Sequence, residues 1–98
     1  MADEVRVEPA DVRDVPVILD LIKALAEYER LAHEVLATEA GIRESLFGST
    51  PHAKAVIARV RSEAVGLAVW FYSYSTFLSR RGLYLEDLFV LPAWRGRG

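Results

Sequence analysis

The run Val65-Gly66-Leu67-Ala68-Val69-Trp70-Phe71 is apolar at consecutive positions and constrains the fold more than any other stretch. A surface helix or a half-buried strand interrupts its apolar residues at its own period; a strand that does not alternate needs cover on both faces. It is therefore expected to lie centrally in a sheet, with helices packed against it. Gly66 within the run points to close approach of another backbone or of a helix.

The flanking segments supply partners. Ala53 to Val60 reads as a strand joined to the central one, Ala64 to Ser73, by a hairpin at Arg61-Ser62-Glu63. Ser73 to Gly82 reads as a loop, and Leu83 to Val90 as a last strand, buried for the same reason as the central one. Near the start, Val5-Arg6-Val7-Glu8 alternates and predicts a half-buried strand ended by Pro9. Val15, Ile18, Leu19, Ile22, Leu25 and Ala26 then recur at helical spacing. Asp11 and Asp14 both suit its N-cap; Asp14, after a tight turn, puts Pro16 in the first turn, where a missing N–H costs nothing. Tyr28 to Ala37 reads as a helix end and a loop. Thr38 caps a second, shorter helix with Ile42, Leu46 and Phe47 on one face and Gly48 just past its end. Gly48-Ser49-Thr50-Pro51 is turn chemistry. The order β-α-α-β-β-β predicts one α+β domain, and no internal repeat or linker divides it.

Composition narrows the function. The net charge is −2, from 12 Lys and Arg against 14 Asp and Glu, which argues against nucleic acid as a partner. There is no cysteine, hence no disulfide, thiol nucleophile or thiolate metal site. His33 and His52 fit no metal-binding spacing and are expected on the surface, so no metal is expected. Met1-Ala2-Asp3-Glu4 has neither the basic nor the apolar part of a secretory leader, and no apolar stretch approaches the roughly 20 residues of a membrane helix. A cytoplasmic protein without membrane contact is the expectation.

Two features of the last segment, YLEDLFVLPAWRGRG, call for chemistry. Glu86 and Asp87 fall on opposite faces of an otherwise apolar strand, and burial of either without a partner is costly. One acid pairing with Arg80 or Arg81 while the other marks an exposed face would suffice. So would a carboxylate in a cleft, raised in pKa by desolvation and serving as a base or as a receptor for a cation. Arg95-Gly96-Arg97-Gly98 follows Pro92-Ala93-Trp94. Glycines after a strand let N–H groups turn toward a phosphate; a flexible end, or one touching RNA, is the plainer alternative. Trp70 and Phe71 read as core, and Trp94 as a seat for the final loop.

Taken together, the strand, LEDLFV, LP, the aromatic residue and RGRG resemble the acetyl-CoA-binding core of the GNAT superfamily of N-acetyltransferases. Arg95 to Gly98 match the first four positions of its Arg/Gln-x-x-Gly-x-Gly/Ala signature. The resemblance is strongest to the diamine (spermidine/spermine) and thialysine acetyltransferases, through LIKALAEYE (21–29), TEAGIRESLFG (38–48), VGLAVWFYSYSTF (65–77) and LYLEDLFVLPAWRGRG (83–98) in the same order. It implies the GNAT fold, a mixed α/β sheet of which this chain is the amino-terminal part of a single domain, cut at the pyrophosphate loop. It implies acetyl-CoA as co-substrate, a small primary amine as acceptor, and a homodimer. Glu86 becomes the general base, acting through water, and Asp87 the binder of the amine, with Tyr28, Glu29 and Phe77 around the acceptor. The last helix turn at Tyr28 and Glu29 reads equally as a plain solvated end. Leu88, Phe89 and Val90 would hold the pantetheine arm, and Arg95, Gly96, Arg97 and Gly98 the pyrophosphate.

Ser75 stands where diamine acetyltransferases carry an Asp, and Phe77 where they carry a Trp, which leaves a diamine, a polyamine and a lysine-like amine all open as acceptors. The general acid is expected in a later half of the fold. Without that half the piece is expected to be incomplete for catalysis; the alternative is a noncatalytic, self-associating or regulatory module.

Overall fold

A computed structural model describes residues 4–95. Strand β1 (Val5–Pro9) leads through a short 3-10 turn (Val12–Asp14) into helix α1 (Val15–Tyr28). After a second 3-10 turn (Ala32–Glu34) comes α2 (Glu39–Phe47), followed by strands β2 (Lys54–Val60), β3 (Glu63–Ser75) and β4 (Arg80–Val90) and a last 3-10 turn (Pro92–Trp94). The sheet order is β1-β2-β3-β4, antiparallel throughout. The apolar run is thus internal, paired on both edges, as its lack of alternation requires.

Both helices cover one face. Val15, Ile18, Leu19 and Leu21 of α1 and Ile42 of α2 form the core with Ala55 and Ile57 of β2 and Leu67 of β3. Ile18 is 0% exposed and Ile57 1%; burying such a side chain is worth about 1.5–3 kcal/mol. Leu21, outside the expected stripe, is buried too and belongs to the same core. Asp14 is the N-cap by position, yet its carboxylate does not cap α1. It accepts from the Asp11 N–H at 2.8 Å and from Arg59 Nη2 at 2.6 Å, and so ties the helix entrance to β2. Thr38 caps α2 through the Gly41 N–H at 3.0 Å. Gly48 ends α2 in an extended conformation; a Cβ there would lie 2.5 Å from the Glu44 carbonyl oxygen, so close approach rather than left-handed backbone selects glycine.

Three expectations change. The segment 73–82 is not a loop: Ser73, Tyr74 and Ser75 pair with Gly82, Arg81 and Arg80, and only residues 76–79 turn. The turn is closed by the Ser79 N–H on the Ser75 carbonyl (2.8 Å), with Ser79 at φ 57°. β3 and β4 therefore form a long ribbon, and the molecule measures 49 × 29 × 27 Å. β4 is not buried: Leu83, Tyr84, Leu85 and Leu88 are 51–67% exposed, because no described helix packs on the second face of the sheet and no described strand pairs with the outer edge of β4. For the same reason Val5 and Val7 of β1 are exposed. His33 and His52 lie on the surface as expected.

Gly66 meets the expected close approach. A Cβ there would lie 3.1 Å from the Phe89 carbonyl oxygen and 3.3 Å from the Ala58 Cβ.

Candidate functional site

The two acids lie at an irregularity in β4. Asp87 pairs with Val69, whereas the next β3 residue, Trp70, pairs with Leu85. Glu86 is the extra residue of a β-bulge, which bends the strand and interrupts the alternation that would have set the acids on opposite faces. Asp87 shares the helix-covered face with Val69 and lines a cleft of about 350 Å³ walled by Ile18 and Ile22 of α1, Thr38, Gly41, Ile42 and Ser45 at α2, and Val69. Glu86 is exposed. Among the described residues neither acid pairs with Arg80 or Arg81; Arg81 lies instead over the Tyr72 ring, 4.4 Å from its centroid. Burial pushes the Asp87 carboxyl above its ordinary pKa, and the negative charges of Glu86 and Glu29 push the same way. The cleft is therefore an apolar slot with one under-neutralised carboxylate in its wall, a chemistry suited to an alkyl chain that ends in a cation.

The outer edge of β4 is the second element. The Leu91 N–H bonds the Val65 carbonyl at 2.8 Å, and the Phe89 carbonyl lies close to Gly66. Backbone groups alternate in direction along an antiparallel ladder, so Phe89 and Leu91 turn theirs to β3, while Leu88 and Val90 turn theirs outward. The outward Val90 carbonyl accepts from Arg95 Nε at 2.7 Å. That leaves the N–H and C=O of Leu88 and the N–H of Val90 on an edge with no neighbouring strand among the described residues. This row suits an extended ligand with amide groups. Phe89 contributes its ring instead: it is 3% exposed and sits 6.4 Å from the Tyr28 ring.

The structure thus gathers Glu29, Glu86 and Asp87 electrostatically, and Tyr28, Phe89 and Arg95 by contact. Phe77 is not brought to them. It is 98% exposed at the tip of the ribbon, roughly 20 Å from the bulge at ~3.3 Å per residue. Gly96, Arg97 and Gly98 lie outside the described residues. No group of His, Asp and Glu among the described residues is arranged to hold a metal ion, and no described helix is long and apolar enough to cross a membrane. Sequence reasoning did not anticipate the inward turn of Arg95 or the place of Thr38 and Ser45 in the cleft. The spacing of Thr38, Ile42 and Ser45 on one side of α2 was the available signal.

Among the described residues, four antiparallel strands, two helices on one face and a bulged, open-edged β4 define the class: the chain has the fold of the GNAT N-acetyltransferases and is similar in sequence to proteins named as N-acetyltransferases. In sequence it is 37% identical over 102 residues to the thialysine N-epsilon-acetyltransferase of Bos taurus, across 96% of this chain and 59% of the relative. It is 32% identical to the human spermidine/spermine N(1)-acetyltransferase-like protein 1, across 98% of this chain and 15% of the relative. The chain therefore spans 59% of the length of the cattle thialysine acetyltransferase. No family model matches it. Among solved structures, an aminoglycoside acetyltransferase from an uncultured soil metagenomic sample, in complex with sisomicin, superposes with a TM-score of 0.77 at 15% identity, covering 96% of this chain and 60% of its own. An aminoglycoside N-acetyltransferase in complex with CoA gives a TM-score of 0.73 at 20% identity, covering 100% and 62%.

Proposed function

We infer that this chain carries the acceptor cleft and one side of the donor groove of an acetyl-CoA-dependent N-acetyltransferase for a small cationic primary amine. The observation that carries the reading is the position of Asp87, at a bulge in an open edge strand and in the wall of an apolar cleft. Relatives named for thialysine and for spermidine or spermine support an acceptor of the diamine, polyamine or lysine-like kind. A CoA-bound structural neighbour supports acetyl-CoA as the co-substrate, which would supply the acetyl group as an activated thioester.

In this reading each residue has a task set by its surroundings. Asp87 binds the ammonium, and the cation offsets the repulsion from Glu86 and Glu29. An alkylamine has a pKa near ~10.4, so it arrives protonated and cannot attack until a base takes the proton. Glu86, exposed and adjacent, takes it through a water molecule. The freed lone pair then forms the C–N bond as the C–S bond breaks; the acylated nitrogen gives its surplus proton to the departing thiolate, which leaves as the thiol, and Glu86 releases the first proton to solvent. Leu88 and Val90 hold the extended arm of the donor along the strand edge, and the Arg95–Gly98 segment meets its phosphates. Tyr28 and Glu29 wall the acceptor end. The protein works as a cytoplasmic homodimer.

The test is acetyl transfer to thialysine and to a panel of diamines. Asp87→Asn raises KM for the amine about 10-fold or more, the loss expected for a charged hydrogen bond, and leaves KM for acetyl-CoA nearly unchanged. Glu86→Gln lowers kcat with little change in either KM. Equal loss toward both substrates in Asp87→Asn would remove it as the amine binder.

The open apolar edge of β4 favours a second reading, a self-associating module without catalysis. Concentration-dependent sedimentation without acetyl-CoA binding would select it.

A further inference from the structure

Arg95 has a second set of partners that phosphate recognition does not require. Its Nε donates to the Val90 carbonyl at 2.7 Å, and its guanidinium lies over the Tyr28 ring at 4.3 Å and near the Phe89 ring at 5.3 Å. These three partners belong to different parts of the molecule: Tyr28 is the last residue of α1, Phe89 and Val90 end β4, and Arg95 follows the last 3-10 turn. Tyr28 is 59% exposed, so its position against β4 rests on this stack and on the tilted contact with Phe89. Beside it, Glu29 closes α1 and repels Asp87 across the cleft.

We propose that Arg95 is a positioning residue that latches the acceptor-side end of α1 to the donor-side end of β4. The flat guanidinium suits both jobs, since it stacks on a ring while its Nε–H stays in plane for the carbonyl, which a lysine ammonium cannot reproduce. Two consequences follow. The latch fixes where Tyr28 and Glu29 stand relative to β4, and Glu29 is one of the charges that Asp87 feels. It also occupies the Val90 carbonyl, so the donor-facing edge is reduced to the groups of Leu88 and the Val90 N–H. The acceptor role of Tyr28 rests on the function proposed above, whereas the latch itself does not.

The experiment is a double-mutant cycle on the protein with Arg95→Ala, Tyr28→Leu and their combination, with Arg95→Lys as the conservative variant. Two readouts are taken: the Arg95 Nε–H resonance, and calorimetric binding of thialysine and of CoA. In the wild type the Nε–H is protected from exchange and shifted by the Tyr28 ring, and Tyr28→Leu abolishes the shift. Arg95→Ala and Tyr28→Leu each weaken thialysine binding about 3- to 10-fold, on the scale of a cation–π contact. The double variant is no worse than the poorer single one, Arg95→Lys does not rescue, and Tyr28→Leu leaves CoA affinity unchanged. Additive losses, or Arg95→Ala weakening CoA alone, would overturn the latch and make Arg95 a phosphate ligand only. A wild type that binds neither probe would refute the function while the Nε–H signal still decides the latch: an unshifted, freely exchanging Nε–H overturns it.

Discussion

The two faces of the sheet are alike in composition and opposite in fate. On the helix-covered face Ala55, Ile57, Leu67 and Phe89 are at most 9% exposed; on the other face Leu88 of β4 is 67% exposed and Val7 of β1 65%, with Val60 of β2 buried between neighbouring strands. Apolarity in a strand states a demand for cover, and the helices meet it on one face only. The candidate chemistry lies at the border between the two. Asp87 opens into the covered cleft, and one residue away Leu88 presents free backbone groups on the bare edge. A site for two reactants can use that difference, a desolvated slot for the amine and an open edge for an extended donor.

The comparison breaks most sharply in the core. Ile57→Ala, on the covered face, destabilises by about 2–5 kcal/mol, and Leu88→Ala, on the open face, by less than ~0.5 kcal/mol. Denaturant unfolding measures both. A comparable loss for Leu88→Ala would mean that the open face is covered in solution.

Ion pairs repeat the contrast on a smaller scale. Arg59 and Asp14 are 20% and 18% exposed, and Arg59→Ala leaves that carboxylate without its cation; the cost is about 1–3 kcal/mol. Arg13 is 87% exposed, and removing its solvent-screened bridge to Asp11 shifts stability much less. Thermal melts of the two alanine variants rank them directly.

The smallest effect is the most telling about the site. The Asp87 carboxyl has its pKa raised by folding, so the folded state holds that proton more tightly than the unfolded chain does. Asp87 therefore costs stability as pH rises from the ordinary carboxylate value, ~3.9, through the raised one, and the cost persists at neutral pH. Asp87→Asn is accordingly slightly more stable than the wild type at pH 7, and the gain vanishes below the ordinary value. Melts across pH 3–7 test the sign; a variant less stable at pH 7 would mean that the carboxylate has a cationic partner in the folded chain.

What the sequence made legible follows from local physics. The non-alternating run predicts an internal strand, Arg61-Ser62-Glu63 a hairpin, of which Glu63 already belongs to β3, and Thr38 a helix cap. Each depends on residues a few positions apart. The ribbon beyond Ser73 was missed because its serines and glycine read as loop chemistry, although Tyr72 and Tyr74 alternate as a strand does. Burial of β4 was overestimated because cover depends on what lies outside the strand. The two acids stand out in the sequence against an apolar strand, but the bulge that makes Glu86 the extra residue depends on the register between β3 and β4. The fold-back of Arg95 onto Tyr28 is longer in range still, joining residues that only the end-to-end packing of α1 and β4 brings together.

The outer edge of β4 as the seat of the acyl donor is tested most directly by calorimetric titration of acetyl-CoA into the wild type and into Leu88→Pro. The Leu88 N–H points away from β3, so proline there removes an edge donor without removing a ladder bond. Saturable binding by the wild type, weakened about 10-fold or more in a Leu88→Pro variant that melts with the wild type, is the predicted result. No saturable binding, or equal affinity in the two proteins, would contradict it.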